Sequence, residues 1–399
     1  MYVGGSRMAW DFGISKEEEA YRQQVAEFLD RELTEEIARQ NWEDLGLHEE
    51  GWAFARKLYE AGLMGWSWPE EYGGKGKEPI YDFILLDELG KRWGAHVPND
   101  VGYTMTGHTI LRRGSDEMKK EFIPQIIRGE IEFGLGYTEP EAGSDLARLK
   151  MYAEEDGDYF VINGQKTFNT ESHYAQYHWL CCLTDKTVSP YKGMTLFIVD
   201  QNAPGITIRP MITMSGEQTN EIFYDDVRVH KSRIVGEKNK GFYYMMEALG
   251  SERNYVFVPS RYRPFLEMLI DYAKNTMYDG KPLSENPMVR DKIAQIAVEI
   301  ESAQLLADHA RWMEWNNMTM TCEPEITKVV VSELEQRMVD SAMQILDQYC
   351  QLEEGSKYVP LGGRIEWEFL HSFMTTIGAG TSEVGRNVIA QRGLGLPRG

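Results

Sequence analysis

"DYFVINGQKTFNT", Asp158 to Thr170, is the stretch on which the fold turns. Apolar residues flank an Asn163-Gly164 dipeptide, the strongest short-range signal for a hairpin, and predict a strand, a two-residue turn and a second strand. Further short apolar runs follow with turn residues between them: "HWLCCLT" from His178, "GMTLFIVD" from Gly193, "GITIRP" from Gly205 and "EIFYDDVRVH" from Glu221. Their spacing predicts a β domain over residues 131–240.

Both flanks are helical. Ser15 and Glu18 form a capping box, and Tyr21, Val25, Phe28 and Leu29 recur on one face behind it. Helical patterns continue through "GWAFARKLYEAGL" and "YDFILLDELGKRW", with the turn-rich "WPEEYGGKGKEP" between them. After the β segment, "DKIAQIAVEIESAQLLADHARWMEW" and "EITKVVVSELEQRMVDSAMQILDQYC" carry apolar stripes at helical spacing, as in a bundle. The expected class is therefore α+β: an N-terminal α-helical domain over residues 1–130, the β domain, and a C-terminal four-helix bundle over 241–399.

The 399 residues carry a net charge of -21. Such a surface repels nucleic acid and anionic membranes, so neither is expected as a partner. No apolar run approaches membrane-spanning length, and membrane insertion is not expected. Four cysteines in so long a chain make no disulfide framework and fit a reducing cytoplasm. There is no P-loop and no G-x-G-x-x-G after a strand. His173, His178, Cys181 and Cys182 lie close in sequence, but at no standard zinc spacing, and "HWLCCLT" reads as an ordinary strand; no metal site is expected.

Two loops are dense in chemistry. "LGYTEPEAGSDLARLK", Leu135 to Lys150, brings Thr138, Gly143, Ser144 and Asp145 together, and "NGQKTFNTES" adds Phe168, Asn169 and Thr170. An aromatic face beside hydroxyl donors suits a flat heteroaromatic ring with polar edges, the shape of a flavin. Near the C-terminus, "TIGAGTSEVGRN" joins close-approach glycines to the hydroxyls of Thr381 and Ser382 at a helix entrance, where backbone amides suit an anion.

Taken together, "PEEYGGKG", "GYTEPEAGSD", "NGQKTFNT" and "GAGTSEVGRNVIAQRGLGLPRG" resemble the acyl-CoA dehydrogenase family, in its order and at roughly its spacing, across nearly the whole chain. The helical, β, helical layout is also that family's architecture. The resemblance implies an FAD enzyme that oxidises an acyl-CoA thioester to its α,β-unsaturated product. Carried over, Tyr137, Thr138, Gly143 and Ser144 contact FAD, Ser144 also facing substrate, and Phe168 replaces the usual Trp flanking the isoalloxazine. Thr170 approaches the flavin N5; Gly380, Thr381 and Glu383, with Arg386 nearby, reach the phosphate or adenine end. Electrons pass to an electron-transfer flavoprotein, and the enzyme is a homotetramer.

The chain departs from the family where the catalytic base belongs: the slot for a Glu holds Ala379, whose backbone N–H is still expected at the substrate carbonyl. The resemblance offers Glu252 in "MMEALGSERNYVFV" as a replacement. Some members aim a Glu from this helix at the same α carbon, and burial beside an apolar substrate raises such a carboxyl toward working pH. Beside it, Arg253 is expected to anchor CoA or the carbonyl end. Asp100 is the alternative base and acyl-pocket residue; read by itself it is a helix cap. The expected acyl group is branched, cyclic or otherwise bulky. A non-catalytic partner subunit, or a monooxygenase or oxidase on the same fold, is the competing reading.

Overall fold

The computed structural model describes residues 13–34, 36–38, 48–92, 97–316 and 318–397. Helices α1 (Lys16–Glu32), α2 (Glu49–Glu60), α3 (Ile80–Gly90), α4 (Gly107–Arg113) and α5 (Asp116–Ile127) come first. Ser15 and Glu18 cap α1 reciprocally, and Tyr21, Val25, Phe28 and Leu29 are buried as their spacing implies. A π-helical turn, Gly102–Thr106, leads into α4. Its start is held by the buried Glu132, whose carboxylate accepts from the Val101 and Gly102 amides at 3.0 and 2.7 Å.

Seven strands follow: β1 (Phe133–Gly136), β2 (Tyr152–Asp156), β3 (Tyr159–Lys166), β4 (Tyr177–Leu183), β5 (Met194–Asp200), β6 (Ile206–Ile212) and β7 (Gln218–His230). They form one sheet in the order β1-β4-β2-β3-β7-β6, with β5 antiparallel on β4. The expected Asn163-Gly164 hairpin turn is incorrect. β3 runs straight through that dipeptide, with a register shift against β7 between Ile162 and Gly164. Asn163 accepts from the Asp226 amide at 2.8 Å, and a Cβ on Gly164 would lie 2.8 Å from Met151 Cγ. The glycine therefore serves a bulge and a close approach. The true hairpin turn is Gly157-Asp158, between the paired Asp156 and Tyr159.

Helices return with α6 (Gly241–Val256), α7 (Arg263–Asn275), α8 (Pro287–Trp315), α9 (Glu323–Leu346), α10 (Arg364–Thr375) and α11 (Ser382–Val388). α7 to α10 share one apolar core through Leu269, Ile300, Val339 and Ile365. α6 packs elsewhere: Met245 and Ala248 join the core of the N-terminal helices and of strands β1, β4 and β5. It therefore spans the junction between layers. It ends at Val256, because Pro259 has no N–H to continue a helix and favours an extended residue before it. Phe257 makes a tight turn at φ −81°, ψ 79°, with the Val258 amide donating to the Val256 carbonyl at 2.9 Å; Val258 is extended, and a 3₁₀ turn, Pro259–Tyr262, follows.

Candidate active site

A cavity of about 320 Å³ opens where these layers meet. The helical residues just before the π turn supply Asp100, the loop after β3 supplies Phe168, Thr170 and Glu171, α6 supplies Glu252, and the loop after α10 supplies Gly378 and Ala379. Residues from all three sequence blocks, separated by up to most of the chain, therefore share one wall.

Three of the lining residues have left-handed backbones without being glycine: Phe168 (φ 57°), Glu171 (φ 69°) and Ala379 (φ 53°). Each such residue costs on the order of 1 kcal/mol or more, and strain gathered around one cavity marks a preorganised site. Phe168 is 68% exposed, so a large apolar ring is held on the open side of its own fold. Beside it the Thr170 hydroxyl lies 3.2 Å from that of Thr219.

Glu252 lies part-covered on α6, but its Oε2 is sealed from solvent and has no hydrogen-bond partner among the described residues. Burial pushes its carboxyl up to about 7; Arg253 and Lys328 oppose that shift and Asp100 adds to it. A solvated, lysine-paired surface glutamate would show neither feature. Asp100 is pushed up to about 7 as well, by burial, against the pull of Arg261. It lines the cavity, so capping does not exhaust its role.

The expected role of Arg253 as a substrate anchor needs correction. Its guanidinium donates to Glu325 Oε1 at 2.8 Å and to the Ala379 carbonyl at 2.9 Å, and the side chain is buried away from the cavity lining. It fastens the loop that carries Ala379. With the Ala379 carbonyl so occupied, the Ala379 N–H has no hydrogen-bond partner among the described residues. Gly380 follows at φ 90°, and a Cβ there would lie 3.1 Å from Arg253 Nη2.

The remaining candidates are placed as follows. Thr381 caps α11 by accepting from the Val384 amide at 3.2 Å. Glu383 is exposed in the first turn of that helix, and Arg386 is paired to Glu333 at 2.8 Å. Gly143 and Ser144 are exposed on the loop after β1, outside the cavity, and Thr138 is half-buried there. The Tyr137 hydroxyl accepts from Trp179 Nε1 at 2.8 Å and its carbonyl from Lys166 Nζ at 3.0 Å, so its side chain is engaged inside the β domain. His178, Cys181 and Cys182 are buried strand residues, with His178 Nδ1 3.0 Å from the Tyr224 hydroxyl.

Sequence reasoning missed several lining residues. The Glu171 carboxyl makes no hydrogen bond with any described residue, and burial and the neighbouring Asp100, Glu217 and Glu252 push it well above the usual range. Arg261, the Tyr262–Glu335 hydrogen bond (2.7 Å) and the His371–Glu217 pair (3.1 Å) also face the cavity. Only Glu171 had a nearby signal, since it follows "FNT" directly.

The chain matches the acyl-CoA dehydrogenase N-terminal domain over residues 15–130, the middle domain over 134–227 and the C-terminal domain over 239–394. It belongs to the acyl-CoA dehydrogenase family. The acyl-CoA dehydrogenase FadE29 of Mycobacterium tuberculosis is 33% identical over 353 residues, covering 87% of this chain and 88% of that protein. Among solved structures, the Tcur3481-Tcur3483 steroid ACAD superposes with a TM-score of 0.88 at 30% identity, covering 98% of this chain and 100% of that one. The ChsE4-ChsE5 complex from Mycobacterium tuberculosis gives 0.86 at 29% identity, covering 97% and 99%. Acyl-CoA dehydrogenases are FAD-dependent oxidoreductases acting on CH–CH groups, and this chain is an enzyme of that kind. The site fits the cofactor: the exposed Phe168 ring, the Thr170 hydroxyl and the strained Gly378–Ala379 loop line one cavity, and the open Gly143–Ser144 loop lies on the same domain.

Proposed function

We propose that this enzyme removes hydrogen across the α,β bond of an acyl-CoA with Glu252 as the base. The observation that carries the proposal is the Glu252 carboxyl: its Oε2 is sealed from solvent without a hydrogen-bond partner among the described residues, and the residue lines the cavity that Phe168 and Ala379 also line. A carboxyl near 7 is half ionised at neutral pH and strong enough to accept a proton from a weakly acidic C–H. The Ala379 N–H donates to the thioester carbonyl and stabilises the negative charge that develops as the α proton leaves. Arg253 holds that N–H in place through the carbonyl of the same residue. Bound FAD, positioned by Phe168, Thr170 and the loops around Thr138, Ser144 and Thr381, supplies the hydride acceptor.

The absence of a carboxylate at Ala379 leaves room on that side of the cavity, which supports a branched or cyclic acyl group. The steroid relative is consistent with this, and an electron-transfer flavoprotein is the proposed acceptor. We further propose a tetramer. Val298 and Leu305 on α8, with Ile377 and Leu394 near the C-terminus, expose 58% or more of their surfaces, as faces awaiting a neighbour do. The ChsE4-ChsE5 complex makes an assembly with a second kind of chain the alternative to a homotetramer. The deciding experiment is an anaerobic screen of straight, branched and cyclic acyl-CoAs for bleaching of the oxidised flavin band. A protein that binds FAD but is bleached by none of them overturns the dehydrogenase reading.

A further inference from the structure

The cavity contains a cation that the chemistry above does not use. Arg261 lies in the 3₁₀ turn beyond the broken end of α6 and lines the cavity. Its guanidinium makes no hydrogen bond and no ion pair with any described residue. The Tyr262 hydroxyl donates to Glu335, and His371 faces Glu217. A guanidinium has five donors and no acceptor, so an acyl group that displaces water from the cavity leaves them unmet, at a cost, unless it brings an acceptor of its own.

Position and charge narrow what that ligand group is. Val256 and Phe257, which follow Glu252 along the chain and precede the 3₁₀ turn of Arg261, line the same cavity. Arg261 thus lies beyond the C-terminal end of α6 from the base. An acyl group whose α carbon rests at Glu252 and which extends past Val256 and Phe257 brings its far end to Arg261. The Arg261 charge already lies within reach of the carboxyls of Glu335, Glu368 and Asp100. With that charge so offset, its N–H groups call for an acceptor oxygen rather than for a further negative charge, and a neutral oxygen meets them without adding one.

We infer that Arg261 is a specificity-determining residue, which hydrogen-bonds a neutral acceptor oxygen, a ring carbonyl or hydroxyl, at the far end of the acyl group. This rests on the dehydrogenase reading for its orientation of the substrate, and its test separates the two.

The test uses FAD-loaded enzyme and matched CoA thioethers that cannot be oxidised, carrying cyclohexyl, 4-oxocyclohexyl, 4-hydroxycyclohexyl or 4-carboxycyclohexyl groups on the same linker. Calorimetry gives each affinity. The wild type should bind the oxo or the hydroxy compound about ten- to hundredfold more tightly than the hydrocarbon, as expected for a hydrogen bond to a charged group. The tighter of the two names the oxygen. In Arg261→Met that ratio should collapse to near one, and Arg261→Lys, which keeps charge but loses the fork, should retain part of it. Flavin content and melting temperature of each variant show that the fold persists. Equal affinities in the wild type, a preference that survives Arg261→Met, loss of FAD from both variants, or tightest binding of the carboxylate would each overturn the inference. The corresponding thioesters are then tested for flavin reduction. An Arg261-dependent preference without reduction would leave the subsite standing and sink the dehydrogenase reading.

Discussion

Replacing Glu252 with Gln tests the proposed base in two independent ways. Gln keeps the size of the side chain but cannot accept the proton, and removal of a general base costs about 10²–10⁴ in rate. In the wild type, flavin reduction at saturating acyl-CoA should rise with pH to a plateau, with a midpoint near 7 where the Glu252 carboxyl ionises. The variant should be slow and flat across the same range. Stability should move the other way. The folded protein holds this carboxyl at about 7 against an ordinary 4.5, so the fold favours the neutral form. Well below 4.5 both states are protonated and nothing is lost; stability then falls as pH rises from 4.5 to 7 and levels off above, by at most about 3.4 kcal/mol at about 1.36 kcal/mol per pH unit. Glu252→Gln removes that penalty, so it should be more stable than the parent at pH 8 and indistinguishable at pH 4.5. Anaerobic stopped-flow spectroscopy and urea unfolding at several pH values read the two effects. Asp100→Asn is the companion: with a like charge removed, the midpoint should move below 7, with a smaller loss of plateau rate than Glu252→Gln. Because the two carboxyls interact, the midpoint belongs to the pair. Parent-rate flavin reduction in Glu252→Gln, together with loss in Asp100→Asn, would refute the assignment and make Asp100 the base.

Three further outcomes are expected. Ala379→Glu in the Glu252→Gln background should restore part of the flavin reduction with straight-chain acyl-CoA, with no added backbone strain because Ala379 already carries a Cβ at φ 53°; stopped-flow reduction and a melting curve check both. Gly380→Ala should destabilise by at least about 1 kcal/mol and lower the flavin content of the purified protein, because a Cβ there combines φ 90° with an approach of 3.1 Å to Arg253; the absorbance ratio of flavin to protein gives the second effect. Sedimentation velocity at micromolar concentration should give a tetramer, and a stable monomer would remove the role proposed for the exposed residues of α8.

The helix–strand–helix order was legible in local pattern, because amphipathic period and capping chemistry act within a few residues of each other: Ser15 and Glu18 cap α1 as their spacing implies. Asn163-Gly164 shows where local pattern stops. Its turn chemistry was overruled by pairing on both edges of β3 and by the close pass of Met151, neither of which is local. The family was legible too, in motifs scattered from Pro69 to Gly399, and with it Glu252 as a candidate. Tertiary structure alone decided what surrounds that carboxyl. It buried Oε2, set Asp100 beside it, and turned Arg253 from the substrate to the Ala379 carbonyl. Arg261 carried no signal at all in "PSRYRP", since an arginine at a helix break looks like any surface arginine until the fold closes a cavity over it. Residue types and local order follow from sequence because they depend on neighbours along the chain; burial, and the proton affinity it sets, depends on neighbours brought in from elsewhere.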